Sequence, residues 1–204
     1  MKHSMTFLIA AIVIFFFSTT AFAGWLIFNK PEFKGKVIDA ATKEPIEGAV
    51  VVAVYNTHTI MGGPAGGWST IIKVKEILTD KSGEFSFPAY TAMTNPNARE
   101  DQTDFIIYKP GYGSFPGFQT SPPPPYVGHE SHFSEKRGKK IEFQKNSKTL
   151  SFIAGIIELP KVKTKEERLR AQPSGPTDDG KKDLPLLFKL INEERKRYGL
   201  GEVN

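Results

Sequence analysis

Along residues 33–159 the apolar positions come in short bursts with a period of two, separated by turn residues. Residues 33–39 form the first burst, followed by a turn carrying Thr42, Lys43, Glu44 and Pro45. Residues 49–55 are nearly continuously apolar, with Val50, Val51, Val52 and Val54, which predicts a central strand covered on both faces. Residues 71–79 place Ile72, Val74 and Leu78 on one face of a third strand. Asp80-Lys81-Ser82-Gly83 is a tight turn, and Phe85 and Phe87 then share a face. Residues 104–108 make a fifth strand closed by Pro110-Gly111, and residues 140–145 and 150–159 supply two more. Seven short strands without an intervening helix predict an all-β, antiparallel, seven-stranded β-sandwich.

The period changes after Pro160. Thr164 and Glu167 form a capping-box pattern that opens a short helix ending near Gln172. Residues 173–182 are a polar linker rich in Pro, Gly and Asp. Pro185 suits a helix's first turn; Leu187, Leu190, Ile191, Glu194 and Tyr198 follow at helical spacing, and Gly199 ends the helix. The narrow apolar stripe predicts packing on the sandwich or on a partner, with peripheral membrane contact through this helix as the lesser reading. The expected organisation is a domain over residues 24–160 and a helical tail over residues 161–204.

The start of the chain has another character. Lys2 and His3 precede an unbroken apolar run from Phe7 to Phe17, then polar Ser18-Thr19-Thr20 and Ala21-Phe22-Ala23. That order predicts a secretory signal peptide over residues 1–23, cleaved near Ala23, and hence an exported protein, periplasmic or secreted. The run of about 11 residues is short against the roughly 20 of a spanning helix. The chain has no cysteine, which excludes a disulfide-stapled mini-protein, thiol catalysis and an outer-membrane lipoprotein, whose lipid is carried on cysteine. Its net charge of +5 is dispersed, which favours loose contact with anionic envelope components over nucleic acid.

Several of these residues fall in a familiar arrangement. Gly35-Lys36-Val37-Ile38-Asp39, Thr42, Pro45-Ile46-Glu47-Gly48-Ala49-Val50-Val51-Val52 and Thr79-Asp80-Lys81-Ser82-Gly83-Glu84-Phe85-Ser86-Phe87 resemble the carboxypeptidase regulatory-like domain. Lys109-Pro110-Gly111-Tyr112 resembles that family's segment after its fifth strand. The resemblance covers residues 33–88 and 104–112 and does not reach residues 160–204. It implies a transthyretin-like sandwich with an accessory, non-catalytic role, because the matching residues are turn and core types.

Candidate chemistry is sparse. His129, Glu130 and His132 have neither of the usual zinc-helix spacings, and His58 is the remaining candidate third ligand of a minor metal-enzyme reading. Intradiol dioxygenases, on a related sandwich, bind iron through two Tyr and two His; the spacing of Tyr112, Tyr126, His129 and His132 does not favour that role. The expectation is therefore no catalytic residue, metal or cofactor. Two long loops, residues 57–69 and 111–138, concentrate aromatics instead. Trp68, Tyr112, Phe115, Phe118 and Tyr126 are the candidate binding residues, with Phe133 nearby. Together with the C-terminal helix they predict a docking surface for another envelope protein; carbohydrate binding through stacked rings on a polysaccharide is the alternative.

Overall fold

The computed structural model describes residues 27–59, 67–123, 130–145, 147–176, 182 and 184–203. The expected signal peptide, the glycines at 62, 63 and 66, Tyr126, His129 and half of the expected linker lie outside the described residues. The strands are β1 (Ile27–Lys30), β2 (Phe33–Asp39), β3 (Val50–Thr59), β4 (Trp68–Leu78), β5 (Glu84–Phe87), β6 (Tyr90–Met93), β7 (Ala98–Tyr108), β8 (Lys140–Lys145), β9 (Lys148–Ile153) and β10 (Ile156–Leu159). Two helices follow, α1 (Lys165–Arg170) and α2 (Pro185–Arg197), and a 3-10 turn spans Glu130–His132. The fold is all-β with a short helical end, as the period-two pattern requires.

Strand number and direction depart from the sequence expectation. Ten strands form among the described residues instead of seven. The expected strand over residues 150–159 breaks at Ala154-Gly155, where Gly155 adopts φ 88°. The first half, β9, pairs antiparallel with β8, while β10 runs parallel to β2, so the molecule is not wholly antiparallel. Strands β1 and β6 continue β2 and β5 in one register: Phe33 faces Phe87 and Lys30 faces Tyr90. Pro31 and Pro88 lie between, and each lacks a backbone donor, so the ladder lapses there and one ribbon reads as two pairs.

Two three-stranded sheets, ordered β10-β2-β5 and β4-β3-β7, share one core. Strand β3 is central, and its alternation feeds two apolar clusters. Val51, Ala53 and Tyr55 pack between the sheets with Phe33, Val37, Phe85, Phe87, Phe105 and Ile107. Val50, Val52 and Val54 point the other way and meet Val74, Ile106, Tyr108, Leu184, Leu187 and Ile191. A bulge opposite Tyr55 and Asn56 inserts Ile72 into β4, so Ile72 packs toward the first cluster and Val74 toward the second. The expected common face of Ile72 and Val74 is lost for that reason.

Helix α2 covers the outer face of β3 by a device that its own sequence lacks. Leu184, at the N-cap, has no side-chain oxygen to offer. Glu76 of β4 supplies one from another element, accepting from Leu186 N at 2.6 Å and Leu187 N at 3.0 Å. Helix α1 carries its own capping box between Thr164 and Glu167, and ends at Arg170 rather than near Gln172. Arg168 of α1 then meets the fully buried Glu194 of α2 at 3.1 Å, tying the two helices together.

Substitution of Glu76 by Ala should lower stability by about 1–2 kcal/mol, since it removes a charged acceptor from two helix-end donors. Amide exchange would report it as faster exchange in α2 than in β2. Unchanged protection of α2 would show that its apolar face alone secures the helix.

Candidate functional site

The structure disperses the aromatics that the sequence groups together. Phe115 and Phe133 are core residues, each 1% exposed. Phe115 exchanges two backbone hydrogen bonds with Ile107 at 2.9 Å, which bridges the loop to the outer side of β7 at one position. The Phe133 ring lies 4.4 Å from Phe105, 5.5 Å from Phe85 and 6.2 Å from Phe115, centroid to centroid. Much of the long second loop is therefore a lid on the core. Of the remaining candidates, Phe118 is at the edge of exposure and Tyr112 is half-buried.

Tyr112 belongs to a polar junction at the end of β2. Asp39 ends that strand with its carboxylate buried. One oxygen accepts from Ala41 N at 2.8 Å and Thr42 N at 3.0 Å, which shapes the turn toward Pro45. The other accepts from Lys161 Nζ at 3.0 Å and from the Tyr112 hydroxyl at 3.3 Å. The Thr42 N–H above all, then Lys161 and the Ala41 N–H, hold the Asp39 carboxyl far below the usual carboxylate range, against the effect of burial. Burial pushes the Tyr112 hydroxyl up. This arrangement joins the turn after β2, the segment after β7 and the start of the tail. Tyr112, read from sequence as a binding residue, has its hydroxyl committed to that joint.

Trp68 lies elsewhere. It opens β4 opposite Thr59, the last residue of β3, while Tyr112 follows β7 beyond the Val50 end of β3. Ten residues of β3 separate the two ends, roughly 30 Å at the usual strand rise. The two rings cannot stack on one sugar. Trp68 is 53% exposed. The residue before it must be glycine: a Cβ on Gly67 would collide with the Thr59 carbonyl oxygen and the His58 ring.

A second polar network closes the Trp68 end. Lys30 is buried and donates to the Asp101 carbonyl oxygen at 2.6 Å and to Glu130 at 2.9 Å. Glu130 also accepts from Thr103 N at 2.9 Å. Asp104 accepts from Asn56 at 2.8 Å, yet burial, together with the nearby Asp101 and Glu130 carboxylates, raises its carboxyl above the usual value. These groups hold β1, β7 and the 3-10 turn together. Among the described residues no three His, Cys, Asp or Glu side chains gather as a metal site requires.

What remains open is a strand edge. Strand β4 pairs with β3 along one side, and among the described residues its outer side has no backbone partner. The other edges are short or covered. Strand β7 is capped by Phe115 and by Glu130; β10 is bridged by Ser121 and receives Thr120 N on the Glu158 carbonyl oxygen; β5 is four residues long. Strand β4 runs eleven residues, with Trp68 exposed at its head and Leu78 47% exposed at its foot. Lys73 is exposed midway, and Lys75 lies over the Tyr90 ring at 4.4 Å. A period-two pattern cannot distinguish an edge strand from an inner one, which is why the sequence singles out Trp68 as a loop aromatic but not the edge that it heads.

No family model and no curated protein matches the chain. Solved structures to which it is similar include 3-chlorocatechol 1,2-dioxygenase from Rhodococcus opacus 1CP, 15% identical, with 67% of this chain and 61% of that chain covered and a TM-score of 0.30. Wild-type catechol 1,2-dioxygenase from Acinetobacter radioresistens is also 15% identical, with 75% of this chain and 56% of that chain covered and a TM-score of 0.31. The chain thus spans less than two thirds of the length of either.

The placement of Phe133 and Asp39 yields two expectations. Phe133→Ala should cost about 3–5 kcal/mol in urea unfolding, the range for a buried aromatic; a loss well under 1 kcal/mol would mean that the loop is no part of the core. Because the folded-state pKa of Asp39 is depressed, its contribution to stability is present above the unfolded value near pH 4 and fades as pH falls through the folded value. Asp39→Asn should therefore lower stability at neutral pH by about 1–3 kcal/mol and flatten the acid limb of the stability profile. An unchanged acid limb would remove Asp39 as its source.

Proposed function

We propose that this chain is an exported, non-catalytic β-sandwich of the carboxypeptidase regulatory-like, transthyretin-like kind, and that it docks on another envelope protein by offering β4 as an edge for strand addition. The observation that carries the reading is the eleven-residue open edge of β4 in a molecule whose other edges are short or covered. An unpaired edge presents a row of backbone donors and acceptors, and a partner strand gains affinity by completing them. Exposed Trp68 and Leu78 supply apolar anchors at the two ends of that row. Lysines on an exposed edge discourage indiscriminate pairing, so Lys73 favours a partner strand with acidic residues facing it.

The family assignment is supported by motifs that serve as turns and core. Asp80 Oδ1 accepts from Ser82 N at 2.9 Å and Glu84 N at 2.8 Å, and Gly83 adopts φ 73° to close that turn. Gly48, at φ 67°, delivers the chain into β3. The leader-like pattern of residues 1–23 supports export. The apolar face of α2 is occupied by the sheet, which supports the edge over the helix as the docking element.

A photoreactive side chain at Lys73 should crosslink to one reproducible envelope protein in cells, while the same group at Lys36, on the other sheet, should not. Trp68→Ala should weaken the isolated complex by about tenfold or more, as expected for a buried aromatic anchor. Crosslinking from Lys36 but not from Lys73, or a complex indifferent to Trp68, would move the docking surface away from β4.

A further inference from the structure

A groove of about 570 Å³ lies between the β8–β9 hairpin and the sheet, within the size range of small-molecule sites. The hairpin forms one wall through its register. Ile141 faces Phe152, Phe143 faces Leu150, and Lys145 faces Lys148, so these six share one side of the ribbon. That side is an apolar strip ending in two lysines. Phe143, Leu150 and Phe152 line the groove, and Ile38 and Ile156 line it from the sheet. Leu150 is 41% exposed, an apolar surface that the fold does not cover.

The charges at the open end are the unusual part. Lys145 and Lys148 stand directly opposite each other, where like charges weaken a hairpin. Among the described residues neither has an acidic partner within ion-pair distance. Lys43, on the facing wall, is held by Glu158 at 2.8 Å, so the carboxylate present in the groove is already matched. Both lysines are exposed, and facing each other they set a positive potential at that end of the strip, which suits an anion.

We propose that this groove binds a single-chain amphiphile with an anionic head, specifically a long-chain carboxylate. The chain lies along Phe143, Leu150 and Phe152, and the head sits on Lys145, which lines the groove, with Lys148 opposite it on the ribbon just outside the lining. The site is distinct from the β4 edge and stands or falls independently of strand docking.

Fluorescence titration of the full exported chain with cis-parinarate, followed by displacement, tests this. Saturable binding of one probe per chain is expected, displaced by laurate and at least about tenfold less well by lauryl alcohol, which has the same tail without the charge. Lys145→Glu with Lys148→Glu should weaken binding about tenfold or more, and Leu150→Glu should abolish it, with circular dichroism unchanged. If Leu150→Glu disturbs the hairpin, Lys145→Gln with Lys148→Gln provides the same comparison at lower perturbation. No saturable binding, equal displacement by the alcohol, or lysine variants that bind as before would each overturn the proposal. So would adsorption to phosphatidylglycerol vesicles without binding of the monomeric probe, which would make the hairpin a surface contact instead.

Discussion

The burial of β3 on both faces is the constraint on which the rest of the molecule depends. A strand with Val50, Val52 and Val54 on one side and Val51, Ala53 and Tyr55 on the other has no face to give to water. One cluster is satisfied by the second sheet. The other needs a separate cover, and α2 provides it with Leu184, Leu187 and Ile191. At roughly 25 cal/mol per Å² of apolar surface, leaving those valines uncovered would cost several kcal/mol, comparable with the whole stability of a domain. The helical tail is thus part of the fold rather than an attachment to it. Glu76 makes this concrete, because a carboxylate on the sheet caps the helix that shields the sheet.

The treatment of the sheet margins follows from the same economy of covered surface. The long segment after β7 closes one edge with Phe115 and sends Phe133 into the core, while the Asp39 and Lys30 networks pin the two ends of the sheets that share it. Buried charges of this kind are tolerated because each has several partners: Asp39 accepts four hydrogen bonds or ion contacts, and Lys30 donates to a carbonyl and a carboxylate. Against so much closure, the open β4 edge and the partly exposed strip on the β8–β9 hairpin are exceptions, and they are where docking and ligand binding are proposed.

Much of this was legible in the residues. The all-β class, the turn at Asp80-Gly83, the double-sided character of β3 and the capping box of α1 all rest on interactions within a few positions of one another, or on alternation along one strand. The strand ends were less legible. Residues that look like loop, such as Ser69 and Thr70, extend β4 because β3 beside it is long enough to pair with them. Trp68 was legible as exposed, but its role as head of an edge was not. Phe115 illustrates the converse: a Gly- and Pro-rich neighbourhood reads as open loop, although its ring is buried and the Tyr112 ring nearby is half-buried against the core.

The sequence by itself determined the all-β class, the longer strands and the main turns, though not β1 or β6, because φ preferences and period-two burial are properties of short stretches. Tertiary structure alone decided that residues 150–159 split between two sheets, that β10 runs parallel to β2, and that Ile72 and Val74 part at a bulge. It alone decided that Phe133 belongs to the core and that the cap of α2 comes from Glu76, 110 residues before Leu186. Each of these is settled by which surface lies opposite, and a strand or loop carries no local mark of its neighbour: the free energy that chooses comes from burial and pairing between distant segments.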